Sequence, residues 1–285
     1  MTARARIGSG TVRLEEVGPG VFACIAEHIG ANTGFVVGNT GVVLVDTQLT
    51  PTTSLEVLRA VRRVTAKRIQ YVVNTHHHSD HIFGNQYFSP PGLIVAHERA
   101  GERIAQAIEE APAHAASTWP ALADEFAELR ITPPSVTFSE RLTIDLGDRL
   151  IHLLYLGRAH TDGDVYALVP DARVLYCGDV FFNRVVPAMF DGYFSDWTRS
   201  LDTLGGIPAD VFVPGHGDVG TRDDLSVARG FLDSLVAQVR AAQAVGWGAE
   251  EIRGHLDLAP YAAWPRQRAI PRGVRRILEE LQGEL

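Results

Sequence analysis

The 285-residue sequence predicts an α/β fold of two mixed sheets packed face to face, with helices on the outer faces. Two observations lead there. Short β-branched runs separated by glycine turns come in two batches, each closed by helical segments, an order that suits an αββα sandwich. The length is enough to bury a large core as one domain spanning residues 1–285.

Taken in order, Val12 to Val17, Val21 to Ala26, Phe35 to Val37 and Val42 to Val45 read as a meander. Gly18-Pro19-Gly20 and Gly38-Asn39-Thr40-Gly41 supply its turns. Pro51 opens a helix with Thr50 as N-cap, and Leu55, Leu58 and Val61 recur at helical spacing. Ile69 to Val73 is the next strand, followed by Leu93 to Ala96. Residues 97–133, rich in Ala and Glu and broken by Pro112 and Pro120, read as an inserted helical flap. Further strands are expected near Ser135 to Phe138, Leu142 to Ile144, Ile151 to Tyr155, Val165 to Val169 and Val174 to Tyr176. Trp197 to Leu204 is a helix and Val211 to Val213 a buried strand. Residues 221–285 form C-terminal helices, chiefly Asp224 to Ala244 and Arg272 to Leu281, which could dimerise the protein as a homodimer or cap a sheet.

The net charge of -8 argues against a polyanionic partner, because nucleic-acid enzymes usually carry a basic stripe. Arg59, Arg62, Arg63, Lys67 and Arg68 are the densest basic stretch, and they belong on a solvated helix face. The two cysteines, Cys24 and Cys177, lie in apolar runs and are expected to be buried free thiols. No apolar segment resembles a signal peptide or a membrane span, so a cytoplasmic protein with a small-molecule substrate is expected.

The chemistry concentrates in His76-x-His78-x-Asp80-His81, directly after the Ile69 to Val73 strand. Imidazole nitrogen and carboxylate oxygen are zinc ligands, and a catalytic site keeps a position open for water. In an extended segment His76 and His78 point to the same side, while a turn near Asp80 would aim Asp80 and His81 at a neighbouring point. One loop could then feed two adjacent ions. His160 lies between two expected strands, and Asp179 and His216 each follow one, all three flanked by glycines that allow close backbone approach. Scattered histidines are usually surface or core residues. His28, His97, His114, His152 and His255 are read that way, and His77 should point away from the cluster.

These ordered motifs, HxHxDH, then His, then Asp, then His, resemble the metallo-β-lactamase superfamily and span about half the chain. The resemblance implies a metallo-β-lactamase-like sandwich with two zinc ions, the first held by His76, His78 and His160 and the second by Asp80, His81 and His216. Asp179 would bridge them. Iron or manganese would also be compatible with imidazole and carboxylate. The antibiotic-degrading branch carries a cysteine where Asp179 stands. Cys177, placed by alternation on the same strand face as Asp179 but farther back, is read as packing. His78 stands where an oxidoreductase di-iron branch has glutamate.

The function expected on these grounds is hydrolysis of a small carbonyl compound (ester or lactone, thioester, β-lactam) by a metal-bridging hydroxide, with Asp80 both ligating and orienting the attack. Asp46, Thr75 and Thr161 are candidates for orienting ligands. Asn183, Arg184, Phe190 and Tyr193, in the loop after Asp179, are candidates for substrate contact. The competing readings are a phosphodiesterase or nuclease of the same fold, an iron-dependent oxidoreductase, and a non-catalytic metal-binding protein.

Overall fold

The computed structural model describes residues 6–7, 12–27, 30–89, 92–108 and 110–285; His28 lies outside them. The first batch of strands is β1 (Arg6–Ile7), β2 (Val12–Gly18), β3 (Val21–Ala26), β4 (Thr33–Val37) and β5 (Val42–Val45). Helix α1 (Pro51–Val64) leads to β6 (Ile69–Val73), the short turns α2 (Ser79–Ile82) and α3 (Asn85–Phe88), and β7 (Leu93–His97). Helices α4 (Glu98–Gln106) and α5 (Ala111–Thr118) and a 3-10 segment precede β8 (Val136–Phe138). The second batch is β9 (Arg141–Asp145), β10 (Leu150–Tyr155), β11 (Val165–Val169) and β12 (Val174–Phe182). Then come α6 (Phe194–Gly206), β13 (Val211–His216), α7 (Arg222–Ala244), α8 (Ala249–His255) and α9 (Ile270–Gln282).

β1 to β8 form one sheet in sequence order, antiparallel up to β5 and parallel from β5 onward. The other sheet runs β13-β12-β11-β10-β9, parallel only between β12 and β13. Period-two alternation builds the layers. In β3, Val21, Ala23 and Ile25 face the second sheet, whereas Phe22 and Cys24 face α1. In β11, Val165, Ala167 and Val169 face inward, and Tyr166 and Leu168 face the C-terminal helices. The αββα sandwich read from the sequence is the observed architecture.

Helix α1 is capped as expected: Thr50 Oγ1 accepts from the Thr53 amide at 3.2 Å, a contact typically worth about 1 kcal/mol. Its buried side is formed by Thr53, Ser54, Val57, Ala60 and Val61, while Leu55 is exposed and Leu58 only partly covered. The apolar spacing thus picked a stripe rotated from the true one: Val57, Ala60 and Val61 pack on the sheet, and Ser54 is buried through hydrogen bonds from its Oγ to Thr47 O and Thr50 O. Arg59, Arg62, Arg63, Lys67 and Arg68 are exposed.

Trp197, Leu201 and Leu204 of α6, Phe231, Leu232 and Leu235 of α7, and Val274 and Ile277 of α9 cover the outer face of the second sheet. Each such side chain gains about 1.5–3 kcal/mol from burial. The residues between β7 and β8 pack Ile104, Ala111, Ala115, Phe126 and Leu129 onto Leu49, Ile82 and Phe83. They thereby buttress the turn that carries Asp80 and His81. Among the described residues no helix is long and apolar enough to cross a membrane.

One strand differs from expectation in a way that matters for the site. β12 does not stop at Tyr176 but continues to Phe182, and its register against β13 shifts on both sides of Gly178. Gly178 has φ of +53°, and a Cβ there would lie 2.8 Å from Thr75 Cβ and Oγ1. The irregularity breaks the alternation: Cys177 packs in the outer apolar cluster, and Asp179 turns to the histidines instead of sharing its face. Both cysteines are buried and free, and burial pushes the Cys24 thiol up to about 12.

Candidate metal centre

Parallel strands of the two sheets end at the same rim of the sandwich, where side chains from successive loops can meet. The rim is stitched together by the backbone: Val165 donates to Thr75 O at 2.7 Å, and Asn32 donates to Gly215 O at 2.7 Å. Asn32 Nδ2 also donates to Pro214 O and Gly217 O.

The segment after β6 delivers His76, His78, Asp80 and His81. The loop between β10 and β11 delivers His160, the irregular part of β12 delivers Asp179, and the end of β13 delivers His216. All seven expected ligand residues converge. Ligand atoms of His76, His78, His160 and Asp179 lie within 4.8 Å of one another, as do those of Asp80, His81 and His216.

Asp179 joins the two groups. Its carboxylate lies 4.0 Å from His76 Nε2, 3.5 Å from His160 Nε2, 3.1 Å from His81 Nε2 and 3.5 Å from His216 Nε2. Asp80 approaches His216 Nε2 at 3.3 Å and His81 Nε2 at 3.8 Å. Glycine is required beside Asp179, since a Cβ on Gly215 would fall 1.8 Å from its Oδ1.

The electrostatics follow from two carboxylates and five imidazoles in a buried space. Burial would raise the Asp179 carboxyl, yet His216 and His81 hold it well below the usual range. Burial opposes Asp80 in the same way, and His81 and His216 again keep it low. Burial would lower His81, but Asp179, Asp46 and Asp80 draw it well above an ordinary imidazole. His160 is pushed down to about 3, first by burial, and His76 falls well below normal for the same reason, reinforced by its histidine neighbours.

The residues fit a divalent cation on their own geometry. His76 Nε2, His81 Nε2 and Asp179 Oδ1 are buried polar atoms without a hydrogen-bond partner, all turned into the cluster. Burying such groups without compensation is costly, and a cation among them relieves both the unpaired nitrogens and the carboxylate repulsion.

The supporting residues are partly those expected. Asp46, with φ of +60°, accepts from the Thr75 amide at 2.7 Å and from Thr75 Oγ1 at 2.7 Å, and its Oδ2 is 2.8 Å from His81 Nδ1. Thr75 Oγ1 is 3.1 Å from His76 Nδ1. Thr161 acts one step away. Its amide and hydroxyl donate to Asp164, whose buried carboxyl is raised to about 8 chiefly by desolvation, and this holds the His160 loop.

Sequence reasoning missed Asp164, Asp191 and Arg266. Asp191 Oδ2 is 2.9 Å from His78 Nε2 and 3.4 Å from His77 Nε2; Arg266 Nη2 is 3.1 Å from His216 Nδ1. Only Asp164 carried a local signal, in the Thr161-Asp162-Gly163-Asp164 turn.

Of the loop residues expected to meet a substrate, Phe190 is 43% exposed and its ring lies 4.7 Å from that of His78. Tyr193 is held between Arg158 and Arg276, 4.2 and 5.3 Å from its ring centre. Asn183 Nδ2 donates to Asp218 O while its amide donates to His216 O at 3.0 Å, and Arg184 pairs with Asp224 at 3.3 Å, so both side chains are engaged by other residues. Phe181, Phe182, Met189, Phe194 and Trp197 are core. His97 stacks on Tyr155, and His114 and His255 are exposed.

Comparison with known proteins agrees with this geometry. The chain is 29% identical over 185 residues to the 2,4-dinitroanisole O-demethylase subunit alpha of Nocardioides sp. (strain JS1661), covering 63% of this chain and 50% of that protein. It is 25% identical over 190 residues to the metallo-beta-lactamase type 2 of Bacillus cereus, covering 64% and 65%. It is 29% identical over 211 residues to a linear primary-alkylsulfatase of Pseudomonas sp. (strain ATCC 19151), covering 62% and 39%. The chain thus spans from two fifths to about two thirds of the length of these relatives. The solved structure of the sec-alkylsulfatase Pisa1 from Pseudomonas sp. superposes with a TM-score of 0.71 at 17% identity, over 95% of this chain and 50% of that one. The metallo-beta-lactamase from Pontibacter korlensis superposes with a TM-score of 0.58 at 19% identity, over 81% and 99%. The profile of the metallo-beta-lactamase superfamily matches residues 28–216, about two thirds of the sequence, and the chain belongs to that superfamily.

Proposed function

We propose that the protein is a binuclear zinc hydrolase that cleaves a small carbonyl compound: an ester or lactone, a thioester or a β-lactam. The observation that carries this reading is the single carboxylate, Asp179, within 4.0 Å of histidine nitrogens from both ligand groups. In this reading His76, His78 and His160 hold one ion, Asp80, His81 and His216 the other, and Asp179 both. Zinc in such a site lowers the pKa of water from about 15.7 to about 7 and so supplies a hydroxide nucleophile at neutral pH.

The chain's own residues do the rest. Asp80 is only partly covered, and its carboxylate, held ionised by His81 and His216, is the group placed to orient the nucleophile. Asp46 and Thr75 fix the rings of His81 and His76. Phe190, exposed over His78, offers an apolar wall to the substrate. The described chain supplies no Gly-x-Ser-x-Gly elbow, and the reading needs none.

A second reading is favoured by the identity shared with the alkylsulfatase and the O-demethylase subunit, both at 29%. Their names point to action on an alkyl sulfate or to O-demethylation of an aryl ether in place of attack on a carbonyl.

The test is to count metals by plasma mass spectrometry and to assay lactams, lactones, esters, thioesters, alkyl sulfates and aryl methyl ethers with and without chelator. About two zinc ions per chain and chelator-sensitive turnover of a carbonyl class are expected. Turnover confined to sulfates or ethers selects the second reading, and turnover indifferent to chelator refutes both.

A further inference from the structure

Four of the five clustered histidines turn Nε2 to the centre. His78 turns Nδ1, 3.0 Å from His160 Nε2. Its outward Nε2 meets Asp191 Oδ2 at 2.9 Å. Nδ1 is next to the backbone, so a ring that binds through it tolerates little rotation about χ2. The nitrogen it presents is decided by which one carries the proton.

We infer that Asp191 is a positioning residue for the metal centre: by accepting the Nε2 proton of His78, it fixes the tautomer and the ring plane that aim Nδ1 inward. The inference rests on the metal-dependent reading above. A hydrogen-bonded partner on the second nitrogen is the common device for holding a ligating histidine. Asp46 does this for His81 in one ligand group, and Asp191 does it for His78 in the other.

The loop carrying Asp191 is built to hold that carboxylate in place. Helix α9 grips it from both sides. Arg276 donates to Gly192 O at 3.0 Å and to Asp191 O at 3.4 Å, and Glu280 accepts from the amides of Phe194 and Ser195 at 2.7 and 3.0 Å. Gly273 admits Met189 against the helix, where a Cβ would fall 2.6 Å from its Sδ. His77 Nε2 lies 3.4 Å from the same Asp191 oxygen, and Phe190 lies over the His78 ring. The C-terminal helix therefore reaches the metal centre through two contacts, Arg276 to the loop and Asp191 to His78.

His77, His78 and Asp191 also lie close enough to hold an outer cation. With Nδ1 of His78 turned inward, however, its Nε2 is the nitrogen left to donate to the Asp191 carboxylate.

The experiment compares wild type, Asp191→Ala and Asp191→Asn. Nitrogen-15 NMR of the metal-free wild type at about pH 8, where an ordinary imidazole is neutral, should show His78 protonated at Nε2. Competition with a chromophoric chelator should show one of the two zinc ions bound about 10–100-fold more weakly in Asp191→Ala and the other unchanged. Asp191→Asn, which keeps an acceptor oxygen, should recover most of that loss. The cobalt-substituted protein should change its visible spectrum in Asp191→Ala, while the metal-free unfolding midpoint stays near wild type. Unchanged affinity for both ions in Asp191→Ala, or His78 protonated at Nδ1 in the metal-free wild type, overturns the inference. A wild type that binds no metal refutes the hydrolase reading instead, and the NMR result still decides the role of Asp191.

Discussion

Asp46→Asn separates the folding role of Asp46 from its role at the metal centre. The carboxylate accepts three contacts: the Thr75 amide and Thr75 Oγ1, each at 2.7 Å, and His81 Nδ1 at 2.8 Å. Asparagine has the same shape and keeps one acceptor oxygen, which the Thr75 amide can use. Its NH2 must then face His81 Nδ1, and a donor there demands a lone pair on Nδ1. The ring proton moves to Nε2, the nitrogen that points at Asp179 at 3.1 Å. A protonated Nε2 cannot ligate. Losing a charged hydrogen bond in a buried site costs about 1.5–3 kcal/mol. Part of this is recovered, because the buried carboxylate is itself disfavoured; desolvation is the main cause of the raised Asp46 carboxyl. The metal-free protein should therefore lose no more than about 2 kcal/mol in a denaturant melt. Affinity for one ion should fall about 10–100-fold, equivalent to about 1.4–2.7 kcal/mol. The assay is chelator competition with a matched urea melt. An Asp46→Asn protein that binds both ions as tightly as wild type would refute the assignment of Asp46 as the group that sets the His81 tautomer.

Two further outcomes are expected. Both thiols are buried with raised pKa, Cys24 to about 12, so at pH 8 neither should react with a disulfide reagent until guanidinium unfolds the chain, when two should react. The sign follows from linkage: the folded state keeps these protons while the unfolded state releases them, so stability should fall as the pH rises above about 8.5, the ordinary thiol value. Gly178→Ala should destabilise the fold by about 1–2 kcal/mol from its φ of +53° alone and by more through the contact with Thr75, and should weaken metal binding because Asp179 is its neighbour. A calorimetric midpoint and zinc content equal to wild type would contradict this.

The sequence by itself determined the sandwich and the seven convergent residues, because both rest on local rules. Alternation in β3 and β11 assigns each side chain a face from its own neighbours, and six residues suffice to hold His76, His78, Asp80 and His81 at ligand spacing. His216 was legible because it closes a strand beside glycine, and His160 because it lies in a glycine-containing loop between two strands; Asp179, expected to follow a strand, lies within β12 beside Gly178. Legibility failed where the answer depended on residues far along the chain. The broken alternation at Gly178, which parts Asp179 from Cys177, lies against Thr75 in the segment that follows β6 of the other sheet. The buried side of α1 includes Ser54, held by the Thr47 carbonyl outside the helix, while Leu55 faces out. Asn183 and Arg184 were drawn to Asp218 and Asp224, which no nearby spacing announces. Asp191, 113 residues from His78, and Arg266, 50 residues from His216, meet their histidines only after the C-terminal helices dock. Which elements bear ligands is a matter of short-range geometry. Which nitrogen each histidine presents depends on partners that only tertiary packing brings within hydrogen-bond distance.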